Sequence, residues 1–329
     1  MWKRIDTIFT LKNPLHIGYL PFKGSVISPT RYYVPGKNFW GAVTKRATEH
    51  LTDNPTSKAY KEIGKQIKEN FRFSYFYLYD GKTIFTPEYQ EKGLSFGNKL
   101  NKLQFEHRFI GSRTSTAIDS ASGTAEDRSL HEIEFIKHKY ISDEGRIKDS
   151  QIMGCIWVKK DAELQGNKID VNDHGIFVKK GNLIDELSLG GELNYGFGTV
   201  KLESIAKKKM PINDQPENER IVIPLENDKP ILSHLTYHPE MHFVGEIELV
   251  KGRGYFNVEK ENASRDASRD ASRDASTDRF YKENPGEVIS SAGYCFSPGS
   301  LLRSDGKKVV LEWNGILSFF SDASSPSAL

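Results

Sequence analysis

The sequence predicts an α+β protein whose main sheet is antiparallel. Short strand patterns alternate with amphipathic helical stretches. The turns Asp80-Gly81, Asn172-Asp173-His174-Gly175 and Asp305-Gly306 read as hairpin connections, which join antiparallel neighbours. A doubly wound parallel sheet is the alternative, and those hairpin turns count against it.

The elements follow in order. Residues 5–11 place Ile5, Thr7, Phe9 and Leu11 on one face and turn Asp6 and Lys12 towards the other, the period of a strand. A loop rich in glycine and proline comes next. Across residues 38–51, Phe39, Trp40, Val43, Ala47 and Leu51 recur at helical spacing while Lys45, Arg46 and Glu49 face outward. Tyr60, Ile63 and Ile67 make residues 55–70 a second amphipathic helix. Residues 73–79 form an aromatic strand that turns through Asp80-Gly81 into 83–85. Residues 152–159 and 176–179 are predicted strands, 183–187 a short helical piece, and 199–205 a strand leaving a glycine loop.

Two lobes are expected. Residues 1–206 form the first, residues 207–220, with two prolines and Lys207-Lys208-Lys209, a connector, and residues 221–329 a smaller α+β lobe. Its strand candidates are 221–225, 243–250, 288–290 and 309–313. Within it, residues 261–279 carry Ala-Ser-Arg-Asp three times from Ala263 to Asp274, with no apolar side chain larger than alanine in the repeat. Such a segment has nothing to bury and is expected to be a flexible insertion. An aspartate follows each repeat arginine and cancels its field, which argues against an RNA-touching arm. Residues 321–329 are expected to fray.

A hydrophobic fraction of 37% and a charged fraction of 27% describe a globular chain, and no apolar run approaches the length that spans a bilayer. The start, Met1-Trp2-Lys3-Arg4-Ile5-Asp6, lacks the apolar core of a signal peptide, so a cytoplasmic location is expected. Cys155 and Cys295 stand far apart, with neither a disulfide framework nor zinc-ligand spacing. The net charge of +2 hides an asymmetry: the first 52 residues hold eight Lys or Arg against Asp6 and Glu49, a surplus suited to a phosphate-binding face.

Three motifs stand in a fixed order: Asn13-Pro14-Leu15-His16-Ile17-Gly18 after the first strand, Tyr33-Val34-Pro35-Gly36-Lys37 before a helix, and Gly190-Gly191-Glu192-Leu193-Asn194-Tyr195-Gly196-Phe197-Gly198 before a strand. Together they resemble the RAMP superfamily of RNA-binding subunits of type III CRISPR effector complexes. The stretch Thr116-Ala117-Ile118-Asp119 through Gly123-Thr124-Ala125-Glu126-Asp127 to Glu134-Phe135-Ile136 resembles that family's thumb. The resemblance implies a ferredoxin-like, RRM-like core with guide RNA, target RNA and other subunits of the complex as partners; the residues themselves carry no cofactor motif and no metal-ligand pattern, so no cofactor, metal or membrane is expected.

Chemistry supports an RNA interface at these motifs. Gly190, Gly191, Gly196 and Gly198 let a ribose-phosphate chain approach the backbone, and Tyr195 or Phe197 offers a ring on which a base could stack. Asn38 is the expected N-cap of the following helix, a place that favours an anion, with Lys37 adding charge and Lys45 and Arg46 further along. Arg31 and Tyr32 pair a guanidinium with a ring, and Arg108 and Arg113 flank a glycine turn before the thumb.

Catalysis is not predicted. The family's target-cutting subunits carry an acid in the loop after the first strand, whereas residues 18–31 here contain none. His16 is the one weak catalytic candidate, since an imidazole could act on a ribose 2′-hydroxyl. His234, His238 and His242 recur every four residues, but Pro239 argues against the helix that would gather them on a metal. The reading is a structural guide-RNA-binding subunit. Its competitors are a RAMP endoribonuclease that processes guide precursor or cuts target RNA, and a stand-alone RRM-like binder. The processing enzymes carry their best glycine loop near the C-terminus, whereas 131 residues (329 − 198) follow Gly198 here.

Deleting residues 263–278 and closing the gap with a short Gly-Ser link should leave RNA affinity and partner recovery unchanged, because a charge-balanced, apolar-poor repeat adds nothing to a core. Loss of a partner on purification would make the repeat an interaction arm.

Overall fold

A computed structural model describes residues 1–18, 26–119, 122–125, 129–217, 219–253, 289–303 and 306–320. The repeat at 261–279, the tail at 321–329, Asp127 and part of the loop after the first strand lie outside these residues.

Four strands carry the first sheet: β1 (Trp2–Leu11), β2 (Phe76–Tyr79), β3 (Gln151–Lys159) and β4 (Thr199–Ile205). Their spatial order is β4-β1-β3-β2 with every pair antiparallel, extended by Glu186–Ser188 beside β4 and Tyr33–Val34 beside β2. Helices α1 (Gly36–Leu51) and α2 (Ser57–Asn70) connect β1 to the β2 side, and α3 (Lys102–Phe109) lies between β2 and β3. The mixed α+β character and the antiparallel sheet agree with the sequence pattern.

Alternation sorts the sheet residues onto two faces, and both are buried. Ile5, Phe9 and Leu11 of β1, Ile152, Ile156 and Val158 of β3, and Phe76 and Leu78 of β2 join Phe39 and Val43 of α1 in one core. Phe39 and Phe76 stack with centroids 3.7 Å apart. Gly154 leaves room for this, since a Cβ there would lie 2.5 Å from the Phe76 ring. The opposite face presents Trp2, Tyr75, Tyr77, Met153, Cys155 and Trp157, which pack on Leu235, Phe296, Val309 and Leu317 from beyond residue 220.

Those later residues form a second, seven-stranded sheet containing Arg220–Pro224, Lys308–Leu311, Leu317–Phe319, Leu235–Thr236, Ile289–Phe296 and Ile247–Arg253. An α+β second lobe was expected, but its described residues contain strands and no helix. Prolines and glycines divide the apolar stretches into pieces too short to close helical turns. The helical piece expected at 183–187 is also absent: Gly181–Asn182 and Glu186–Ser188 are extended. There Asn182 bends the chain, its amide donating to the His174 carbonyl at 3.0 Å while its oxygen accepts from the Ile184 N–H at 3.1 Å. Helix α3 was not legible as a period, yet Asn101 and Gln104 form a capping box at its start and Phe105 and Phe109 anchor it.

Phe76→Ala should cost about 3–5 kcal/mol in urea unfolding, because it empties the space between Phe9, Phe39 and Gly154. A loss below 1 kcal/mol, on the order of a surface change, would mean that this contact does not order the sheet.

Candidate nucleic-acid interface

Segments more than 170 residues apart in sequence meet at the end of β1. The Gly191 N–H donates to the His16 carbonyl at 2.9 Å, and the Gly198 N–H donates to the Pro14 carbonyl at 2.8 Å. Gly190 has φ +77°, and a Cβ on it would lie 2.1 Å from the His16 carbonyl oxygen; Gly198, at φ +87°, would collide with the Leu189 carbonyl oxygen. Both positions therefore require glycine on two counts, backbone angle and space. The glycine loop is first a packing device, and its exposed part is the short 3₁₀ turn Leu193–Tyr195.

The thumb-like residues join the same corner. Ile110–Ser115 and His131–Ile136 pair antiparallel, and Ile27–Ser28 adds a parallel third strand. His16 is only 5% exposed, and its Nδ1–H donates to the Glu134 carbonyl at 2.7 Å. The Glu134 carboxylate accepts from the Thr30 N–H at 3.3 Å, and the Arg31 N–H donates to the Ile17 carbonyl at 2.7 Å. His16 is thus a buried tie between β1 and the hairpin.

The remaining candidates divide. Tyr195 is 69% exposed and can meet a base, whereas Phe197 is 6% exposed with its ring 5.5 Å from Phe135. Phe197 is a core residue, not a stacking platform. Tyr32 also turns inward, its ring 5.4 Å from Phe105 and its hydroxyl donating to Glu106. Lys45 and Arg46 sit on the exposed side of α1, with Lys45 paired to Glu49 at 3.0 Å. Arg108 pairs with Asp143, and Arg113 is exposed on the hairpin strand Ile110–Ser115.

Arg31 is not an exposed guanidinium. It crosses to the second sheet, with its Nη2 2.8 Å from a Glu248 oxygen and its Nη1 donating to the Tyr33 hydroxyl at 2.8 Å. His234 completes the cluster: its Nε2–H faces Glu248 at 2.5 Å, and the Tyr75 hydroxyl donates to its Nδ1 at 2.6 Å. Burial pushes the imidazole below its ordinary value despite Glu248, and pushes the Tyr75 hydroxyl well up. Burial alone would raise Glu248, but the hydrogen bond and charge of His234 and the charge of Arg31 outweigh it and bring the carboxyl down to about 2. The three spaced histidines part company here. His238 packs edge-on against Phe319, and His242 stands opposite Arg303 in a strand pair.

The start of α1 differs from its expected form. The N-cap is Pro35, not Asn38, and no side chain caps the helix. Gly36 begins the helix because a Cβ there would lie 2.5 Å from the Phe73 carbonyl and 3.0 Å from the Asn314 carbonyl. Lys37 is partly buried, and burial together with neighbouring Lys68 lowers its ammonium below the ordinary lysine value. Lys68 lies over the Trp313 ring at 4.0 Å and the Trp40 ring at 4.9 Å. Sequence reasoning missed Lys68, Glu248 and Asn314 and gave Glu134 and His234 no part in the corner, because each reaches it through contacts between distant segments that no local period announces.

Acid should loosen this cluster in two stages. His234 has a folded value below its ordinary 6.5, so the unfolded chain takes up its proton first and stability falls as pH drops below about 6.5. The contribution of Glu248 is complete above 4.5 and is lost between there and about 2. Urea midpoints of wild type and His234→Gln across pH 4–8 separate the stages, and the variant should lose the decline just below 6.5. Identical declines in both proteins would assign the effect to other groups.

No protein-family model matches this chain, and no curated protein matches it. Among solved structures it is similar to a chain in the cryo-EM structure of the type III-B Cmr-beta bound to cognate target RNA and AMPPnP. That likeness has a TM-score of 0.49 and 12% identity over 91% of this chain and 86% of the other. A chain of the Cmr-beta bound to cognate target RNA gives a TM-score of 0.47 and 11% identity over 92% and 87%. A chain of the apo state gives 0.36 and 8% over 62% and 98%. At these scores the likeness assigns neither a family nor an activity.

Proposed function

We propose that this chain is a structural RNA-binding subunit of a type III CRISPR ribonucleoprotein, holding guide RNA without cutting it or the target. The observation that carries the reading is the union of two of the three motifs with the thumb-like hairpin at one corner. The Asn13–Gly18 exit, the Gly190–Gly198 loop and the thumb-like hairpin are joined through the His16 backbone and ring. A strand order β4-β1-β3-β2 with antiparallel pairing supports a ferredoxin-like core, in which β-structure stands where the second helix of that unit would lie.

Phosphate contact falls to Lys37, Lys45, Arg46 and Arg113 and to the exposed backbone of the glycine loop, and base stacking to Tyr195. Arg31, Tyr32 and Phe197 shape the surface from behind. Target RNA would follow the hairpin, and other subunits would cover what RNA leaves exposed. The absence of acid from residues 18–31 and the engagement of His16 Nδ1 with a carbonyl both favour binding over chemistry.

Replacing Lys37, Lys45 and Arg46 with alanine should weaken RNA binding at low salt and flatten the log–log salt dependence by up to about 2, at roughly 0.7 per phosphate contact to a single strand. A folded triple variant with unchanged slope would make this helix a mere solvated face.

On labelled precursor and target RNA, with and without magnesium, the wild-type chain should leave both strands intact. Specific cutting that disappears in His16→Ala would establish the endoribonuclease alternative.

A further inference from the structure

Thr30 and Arg31 stand where two sets of contacts meet. At the corner, His16, Ile17, Thr30 and Glu134 close a ring of hydrogen bonds. The His16 Nδ1–H donates to the Glu134 carbonyl at 2.7 Å, the Thr30 N–H to the Glu134 carboxylate at 3.3 Å, and the Ile17 N–H to the Thr30 hydroxyl at 3.0 Å. The Arg31 N–H adds a bond to the Ile17 carbonyl at 2.7 Å. His16, Ile17 and Thr30 are all nearly inaccessible, and the His16 carbonyl receives the glycine loop through the Gly191 N–H. A shift of Thr30 would therefore reach both the loop and the hairpin.

The Arg31 side chain runs the other way. It meets Glu248, on the strand Ile247–Arg253 of the second sheet, at 2.8 Å and donates to the Tyr33 hydroxyl at 2.8 Å. His234 faces the same carboxylate at 2.5 Å and accepts from the Tyr75 hydroxyl at 2.6 Å. Tyr33 is stacked on Tyr75 with centroids 5.4 Å apart and pairs with Tyr77 in the first sheet. One residue thus belongs to the corner by its backbone and to the second sheet by its side chain. The Arg31 side chain is only 14% exposed. Without the Glu248 charge it would be a cation taken out of water with no counter-charge, a costly state that favours its swinging outward and loosening the backbone of Thr30 and Arg31.

We propose that the Arg31–Glu248 pair is a positioning latch through which docking of the second sheet sets the geometry of the corner. Glu248 acts on the glycine loop through Arg31, Thr30 and Ile17, without touching it. The coupling is reciprocal: a ligand that needs the ordered corner favours the docked sheet, and the docked sheet favours that ligand. Where the ligand is RNA, a carboxylate that repels phosphate by its field strengthens RNA binding by its position. That consequence rests on the RNA-binding reading, whereas the latch itself does not.

Amide hydrogen exchange of the full chain reads the latch without RNA. In Glu248→Gln the amides of Ile17, Thr30, Arg31 and Gly191 should exchange at least about fivefold faster, the low end of coupling between linked sites, while those of the β1–β3 pairing keep their wild-type rates. No acceleration, or equal acceleration of both sets as in a general loss of stability, overturns the latch. Glu248→Asp, which keeps the charge and shortens its reach, should lie between wild type and Glu248→Gln. Should Glu248→Gln not fold, the Asp variant decides, and wild-type rates in it overturn the latch. An oligoribonucleotide should bind Glu248→Gln about fivefold or more weakly with an unchanged log–log salt slope, although a negative charge has been removed. Affinity equal to or above wild type, or a changed slope that puts Arg31 among the phosphate contacts, also overturns it. Wild type that binds no RNA, with the selective acceleration present in Glu248→Gln, retains the latch and overturns the RNA-binding reading instead.

Discussion

The pairing of β1 with β3 is the constraint on which the rest depends. Nine register pairs run from Trp2–Lys159 to Thr10–Gln151, and side chains alternate into two separate cores. A sheet half exposed to water would tolerate slippage more easily, but here a shift of one residue would drive Ile5 and Phe9 into the second lobe and Arg4 and Asp6 into the helices. Two-sided burial therefore fixes the register, and the register fixes where β1 ends and where the His16 carbonyl meets the glycine loop.

Two polar clusters tie residues beyond 206 to the far face of this sheet. Arg4 lies between Asp6 and Asp214, while the Met210 N–H donates to Asp6 at 2.7 Å and the Trp157 indole donates to Asp214 at 2.8 Å. Residues 210–214 are thereby held against the sheet. Arg31, Glu248, His234 and Tyr75 form the other cluster. Buried ion pairs contribute little net stability compared with apolar packing, but removing one partner leaves an expensive unpaired charge. They favour one relative placement of the two sheets over others.

Function follows from the same geometry. Glycines at 190 and 198 allow the loop to lie directly on the β1 exit, so the corner presents backbone and a single prominent ring, Tyr195, rather than a bed of side chains. Under the proposed RNA-binding reading, such a surface would meet a nucleic-acid chain by shape and charge, while bond cleavage would need an accessible acid or base. His16 lies close by but spends its Nδ1 proton on the hairpin.

By itself the sequence determined the α+β class, the period of β1 and of α1 and α2, the turns at Asp80-Gly81 and Asn172–Gly175 and the motifs of the corner, because alternation, helical spacing and glycine punctuation are local properties; the hairpin expected at Asp305-Gly306 does not form, since Leu301–Arg303 and Lys308–Leu311 pair in different sheets. The limits of β4 were read without error. What only the tertiary structure decided is the fate of the polar side chains. Asp6 looked like the solvent face of a strand and is buried; Arg31 looked like an RNA contact and is an ion pair to a strand of the second sheet; Phe197 looked like a base platform and is core. A strand with one polar face reads the same whether water or a second sheet covers it, and the covering residues, among them Asp214, His234 and Glu248, lie 159 to 217 positions away. Contacts at that separation leave no period in the sequence, so burial of charge is settled by packing alone.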